Sequence, residues 1–280
     1  MPAMALLGKV NRLLIVRDSD HGMYLDGGPL GEILLPTREV PADLEQGEEL
    51  DVFVSRDSED RIVATVTRPF AQVGEFAGLR VTATHERIGA FLDWGMAKEL
   101  LLPWAEQPHR VAVGDIALVY IVIDPRSNRI IATGRTQRFL KKSRPKYAPG
   151  EAVTLLIQDR SPLGYNAIVD QQYRGLLLAR ELPRPIAIGE SHPGFIQDVR
   201  PDGQLTLSLQ ASGYQRVGGL SEQILAALQE TGGRLPLGDQ SSPDEIRAVL
   251  GTSKKAFKQA LGSLYRQRLI EIEPQSVRLL

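Results

Sequence analysis

The sequence has no cysteine, only four histidines and only two tryptophans in 280 residues. The missing thiol excludes disulfides, thiolate metal sites and cysteine nucleophiles, and it suits a reducing compartment. His21, His85, His109 and His192 lie too far apart for two of them to share a helix face as metal ligands. No run of about 18 apolar residues is present to cross a bilayer. The opening MPAMALLGKVNRLL lacks the basic start, apolar stretch and small-residue cleavage site of a secretory leader. A phosphate-binding loop, a Gly-x-Ser-x-Gly elbow and a metal-spaced carboxylate cluster are all missing. The expectation is a soluble cytoplasmic protein, not an enzyme, with no cofactor, no metal and no membrane partner. With 24% charged and 42% hydrophobic residues the chain can bury ordinary cores, and its length allows up to about four small domains.

The net charge of −1 conceals a strong local imbalance. Residues 1–67 carry 6 basic against 13 acidic side chains, and residues 68–134 balance at 7 against 7. Arg135, Arg138, Lys141, Lys142, Arg144 and Lys146 then place six cations in twelve residues with no acid among them. Such a run attracts a phosphate backbone, whereas the acidic N-terminal part repels one. A solvated linker is the alternative reading of the run.

An internal repeat accounts for most of the chain. The first copy reads GMYLDGGPLGEILLPTRE from Gly22, GEELDVFVSRD from Gly47 and RIVAT from Arg61. The second reads GAFLDWGMAKELLLPWAE from Gly89, GDIALVYIVID from Gly114 and RIIAT from Arg129. A weaker third copy starts at Gly164 and Gly189, and in all three the two glycines are 25 residues apart. Short runs of alternating apolar and polar residues, bounded by turn signals such as Asp26-Gly27-Gly28 and Pro201-Asp202-Gly203, predict half-buried strands. Five such strands per copy predict a small closed barrel, which also removes exposed sheet edges. The domains expected are barrels over 1–67, 68–134 and 147–213, with a basic linker over 135–146.

After Gly218-Gly219 the apolar period becomes helical. Ser221 is the expected cap of EQILAALQE, Ser242-Pro243-Asp244-Glu245 opens a second helix, and Ser253 caps a third, KKAFKQALGSLYRQR. Two short strands near 269–272 and 277–279 complete a winged helix-turn-helix over 214–280. The fold class predicted is mainly β, three tandem OB-type barrels followed by an α+β winged helix.

The order Gly-x-Phe/Tyr-apolar-Asp, apolar triplet, alternating strand ending in Asp, then Arg-Ile-x-x-Thr/Ser resembles the S1 RNA-binding domain, a five-stranded OB-fold. The phrases GMYLDGG, GEILLPTRE and SSPDEI…SKKAFKQALGSLYRQRLI resemble the conserved virulence factor B family, in which tandem S1 domains precede a winged helix. The resemblance covers essentially the whole chain. It implies that Tyr24 and Phe91 are stacking aromatics and that Arg61 and Arg129 are backbone contacts. In the third copy Asn166 stands at the aromatic position, and adjacent Tyr165 belongs to the other face by strand alternation. Phe53, Tyr120 and Phe195, each six residues beyond the second glycine, either stack bases or cover a barrel end or a neighbouring domain.

The second copy offers the richest surface, with His85, Arg87, Phe91, Trp94, Lys98, Trp104 and Arg129. The RNA-binding set expected continues through Arg138, Lys141, Lys142, Arg144 and Lys146 to Lys254, Lys255, Lys258 and Arg266 on the third C-terminal helix. The partner implied is single-stranded RNA, bound by a monomer that regulates gene expression after transcription, including virulence-type genes. Duplex DNA read by the winged helix, and the ribosome or RNA polymerase as a docking partner, stay open at this point.

Overall fold

Two glycines recur 25 residues apart because each barrel turns through left-handed backbone at both places. Gly22, Gly89 and Gly164 open the second strand at φ of 132°, 144° and 154°. A Cβ on Gly22 would stand 2.0 Å from the Leu35 carbonyl oxygen, and one on Gly89 would stand 2.2 Å from that of Leu102. Gly47, Gly114 and Gly189 precede the fourth strand at φ of 95°, 94° and 84°, where only glycine is unstrained.

The computed structural model describes residues 4–42, 44–179, 182, 185–210 and 213–280. In the first barrel β1 (Val10–Arg17), β2 (Gly22–Asp26), β3 (Glu32–Pro36), β4 (Glu49–Arg56) and β5 (Ile62–Thr65) close in the order β1-β2-β3-β5-β4. In the second, β6 (Phe76–His85), β7 (Gly89–Asp93), β8 (Leu100–Pro103), β9 (Ile116–Ile123) and β10 (Ile130–Thr133) follow the same order, with β8 alongside β10. The third closes as β11 (Ala152–Ser161), β12 (Gly164–Val169), β13 (Tyr173–Leu178), β15 (Leu205–Ser208) and β14 (Ser191–Val199). The three-barrel expectation therefore holds, including the divergent copy.

Alternation decides what each barrel buries. Leu13, Ile15, Leu25, Ile33, Leu35, Val52, Val54 and Ala64 fill the first interior. Leu79, Val81, Leu92, Leu100, Leu102, Val119, Ile121 and Ala132 occupy matching places in the second. Each large aliphatic side chain so buried contributes about 1.5–3 kcal/mol. The first strand of every barrel also carries one bulge, at Val16, Thr82 and Gln158, between registered pairs. A bulge shifts the side-chain phase by one residue, so Arg17, Ala83 and Asp159 face the second strand at equivalent positions.

The chain divides into two compact units. The first comprises Met1–Ser143, Thr154–Gly175 and Pro183–His192; the rest belongs to the second. Within the first unit Phe53, fully buried, meets the Trp94 ring edge-on at 5.7 Å and joins the second barrel's core. Val73 N–H donates to the Gly8 carbonyl at 3.0 Å, and Val10 N–H to Gln72 Oε1 at 2.7 Å. Above them the Asp60 turn receives Arg129 in an ion pair, while Lys98 Nζ donates to the Asp57 carbonyl at 2.8 Å. Tyr120 lies between Phe76 and Phe139, stacked on the latter at 4.0 Å, beside Leu156 and Ile168. Phe53 and Tyr120 thus take the packing role of the two that the sequence allowed. The start of the basic run is held as well, because Thr136–Phe139 forms a 3-10 turn and Phe139 and Leu140 are packed.

The second unit contains the winged helix: α1 (Gly213–Glu230), β16 (Arg234–Leu235), α2 (Pro243–Leu250), α3 (Lys254–Arg266), β17 (Ile270–Ile272) and β18 (Val277–Leu279). Ser242 and Glu245 form a reciprocal capping box with Pro243 at the first helical position, and Gly251 ends α2 in the left-handed conformation. Ser253 caps α3, which buries Phe257, Ala260, Leu261 and Leu264. One expectation fails: Ser221 does not cap the first helix. It is buried within α1, which starts eight residues earlier and carries Gly218-Gly219 inside it. The apolar series Leu220, Ile224 and Leu228 begins before Ser221, and its burial outweighs the roughly 1 kcal/mol that each interior glycine costs.

Two outcomes follow for the contact between the first two barrels. Trp94→Ala should lower stability by about 3–5 kcal/mol in denaturant unfolding, with Trp94→Phe costing less. A change below about 1 kcal/mol would mean that the ring is not part of the core. The bond from Arg129 holds the Asp60 carboxyl below its ordinary pKa, with Lys98 and Arg56 adding to the effect against partial burial. A depressed folded pKa gives stability that is complete above the unfolded-chain value of about 4 and lost as pH falls through the folded value. The stability gap between the wild type and Asp60→Asn should therefore be constant near neutrality and narrow below about pH 4. A gap independent of pH would contradict the pairing.

Candidate nucleic-acid interface

The site residues expected from the sequence separate by what they touch. Trp94 is corrected outright. It is only 5% exposed, packed against Phe53, with its Nε1–H donating to the Lys98 carbonyl at 2.7 Å, so it offers no face to a base. The sequence places it one residue past the β7 strand, where alternation no longer tells inside from outside.

Phe91 stands on β7 between Ala83 of β6 and Leu101 of β8, half-buried. Among the described residues no ring or cation is stacked on it. Trp104 follows β8 directly and is also half-buried. Its Nε1–H is shared between the carbonyls of His85 and Glu86 at 3.0 and 2.9 Å, which lays the indole against the β6–β7 turn. His85 and Arg87 are exposed on that turn. Arg110, absent from the expected set, lies over the Trp104 ring with its guanidinium carbon 4.6 Å from the centroid. It stands six residues beyond Trp104 in an irregular segment, where no periodicity could have assigned it. The β6–β7 turn thus gathers the Trp104 indole with His85, Arg87 and Arg110, and Phe91 stands two residues into β7 from Gly89.

The first barrel is arranged differently at the same register. Tyr24 faces Arg17 across β1 and β2, and that guanidinium lies 3.6 Å above the ring centroid. Arg17 Nε–H donates to Glu32 Oε2 at 2.8 Å, and this bond, with Tyr24 adding to it, raises the pKa of Arg17. In the third barrel Tyr165 is buried and Asn166 donates its amide to the Asp159 carboxylate.

The cations divide in the same way. Arg61 pairs with Asp57 at 2.8 Å and Glu59 at 3.1 Å, and Arg129 pairs with Asp60. Arg138 bonds Glu106, Lys141 Nζ donates to Gln172 Oε1 at 2.6 Å, and Lys258 pairs with Asp239 at 2.8 Å. Among the described residues Arg87, Lys142, Arg144, Lys146, Lys255 and Arg266 make no ion pair and are exposed. Lys254 opens α3, partly buried, within the field of Glu245. The unpaired cations are those that a phosphate could claim without displacing a carboxylate. No helix among the described residues is long and apolar enough to cross a membrane.

Comparison with known proteins agrees with this architecture. Residues 7–67 match the S1 domain and residues 222–279 the CvfB-like winged helix domain. Conserved virulence factor B of Staphylococcus haemolyticus is 30% identical, over 98% of this chain and 94% of that one. The uncharacterized protein YitL of Bacillus subtilis is 27% identical, over 92% and 89% respectively. A solved multidomain protein with nucleic acid binding domains from Streptococcus pneumoniae is 23% identical over 98% of both chains, with a TM-score of 0.41. With S1-type barrels followed by its winged helix, and a relative matched almost from end to end, the chain belongs to the conserved virulence factor B family.

Proposed function

We propose that this chain is a non-enzymatic RNA-binding protein that holds single-stranded RNA and regulates gene expression after transcription. The observation that supports the reading is the half-buried Phe91 ring, on which no described ring or cation stacks, in the barrel whose β6–β7 turn also gathers Trp104, His85, Arg87 and Arg110. OB-folds bind single strands by stacking bases on exposed aromatics while cations follow the phosphates. Sequence order favours an RNA path that leaves the second barrel through Lys142, Arg144 and Lys146. The winged helix adds Lys254, Lys255, Lys258 and Arg266 as backbone contacts, of which Lys258 must first leave Asp239. Arg61, Lys98, Arg129, Arg138 and Lys141 contribute to the surrounding field while they stay bound to protein partners. Tyr24 belongs to an acidic barrel and contributes least. The relatives' name extends the reading to genes of the virulence type.

Competition binding of a single-stranded RNA against duplex DNA, at two salt concentrations, tests the reading. RNA preference with strong salt dependence is expected. Duplex preference would assign the function to the winged helix as a transcription regulator, and salt-insensitive or absent binding would favour a protein partner. The double variant Phe91→Ala/Trp104→Ala should weaken RNA binding at least about tenfold, since each stacked base contributes about 1–3 kcal/mol. Circular dichroism and thermal unfolding confirm that the variant is folded. Unchanged affinity in a folded double variant would move the site elsewhere.

A further inference from the structure

The three barrels carry one position that differs in a way that bears on which of them can accept a base. The bulge in the first strand of each aligns Arg17 with Tyr24, Ala83 with Phe91, and Asp159 with Asn166. In the first barrel the Arg17 guanidinium sits 3.6 Å above the Tyr24 ring, the separation of about 3.5–4.0 Å at which carbon atoms of a stacked base would rest. A planar cation at that height fills the place of a nucleobase and satisfies the ring face. Glu32 anchors it from the third strand at 2.8 Å, so removing the guanidinium breaks an ion pair as well as a stack. In the third barrel an amide-carboxylate hydrogen bond replaces the aromatic altogether. In the second barrel Ala83 is too short to reach over the half-buried Phe91, and among the described residues no ring or cation stacks on it.

We propose that the residue opposite the aromatic across the bulge is the specificity-determining position of these barrels: Arg17 closes the first against bases, and Ala83 keeps the second open. The inference rests on the RNA-binding reading above and deepens it, by making the stacking ligand a nucleobase admitted at the second barrel alone. The register supplies the means to transfer the clamp. Leu25 pairs with Ile33 and Asp26 with Glu32 in the first barrel, and Leu92 pairs with Leu100 in the second. One step further along, Glu99 stands where Glu32 stands, exposed. An arginine at position 83 therefore finds both a ring to cover and a carboxylate to hold it.

The test is anisotropy titration of a fluorescein-labelled short oligouridylate with the full-length wild type, Ala83→Arg, Ala83→Leu, and Ala83→Arg/Glu99→Gln. Simple electrostatics requires an added arginine to tighten RNA binding. The clamp requires the reverse: Ala83→Arg should weaken binding about tenfold, the worth of one lost stack. Removing the anchor in Ala83→Arg/Glu99→Gln should restore most of that loss. Ala83→Leu separates bulk from clamping and should weaken binding less than Ala83→Arg. Tighter binding by Ala83→Arg, equal weakening by Ala83→Leu, or no recovery in the double variant would each overturn the proposal. Wild-type protein that fails to bind the oligouridylate would instead refute the RNA-binding reading itself. Should Ala83→Arg not fold, Arg17→Ala in the Phe91→Ala background provides the reciprocal measurement. It should bind RNA several-fold more tightly than Phe91→Ala alone, and no gain would overturn the clamp.

Discussion

The packing of Phe53 against Trp94 is the contact on which the arrangement of the first unit depends. It carries Phe53 of the first barrel into the core of the second, while the first barrel's own interior stays a separate cluster. The polar contacts above it, Arg129 on Asp60 and Lys98 on the Asp57 carbonyl, follow from that approach rather than cause it. Exposed pairs of this kind contribute little alone and are screened by salt. The contact buries Trp94 and Phe53, while Arg129 and Lys98 are bound to groups of the first barrel.

The same economy governs charge. The first barrel is strongly acidic, and the cations nearest its turn at Asp57 to Asp60 are neutralised there. The basic run keeps its unpaired members toward its later half, since Arg138 and Lys141 are already bound to protein groups. The acidic N-terminal barrel would repel a phosphate backbone on average, and the unpaired cations Lys142, Arg144 and Lys146 would attract one. The winged helix adds a further set on α3, moderated by Asp239.

Much of this was legible in the sequence because local physics dictated it. The 25-residue glycine spacing reports two left-handed turns, and alternation along Leu50–Val54 and Ala117–Ile121 reports strands, although Phe53 on the opposite face of the first is buried as well. Caps at Ser242 and Ser253 lie where their side chains can reach the first orphan amides. The start of α1 was not legible, because tertiary burial of Leu220 carries the helix through two glycines and a serine. Trp94 was misplaced because its partner, Phe53, lies in another repeat. The closed state of Tyr24 depends on a bulge that moves Arg17 into register, and a bulge leaves no periodic trace in a strand of eight residues.

The central claim is that a nucleobase stacks on the second barrel and not on the first. Photocrosslinking of full-length protein to an RNA containing a photoreactive uridine, followed by mass spectrometric mapping, reads this directly. The account predicts adducts on the peptides that carry Phe91 and Trp104, and none on the peptide that carries Tyr24. Adducts concentrated at Tyr24, with the Phe91 and Trp104 peptides unmodified, would contradict it.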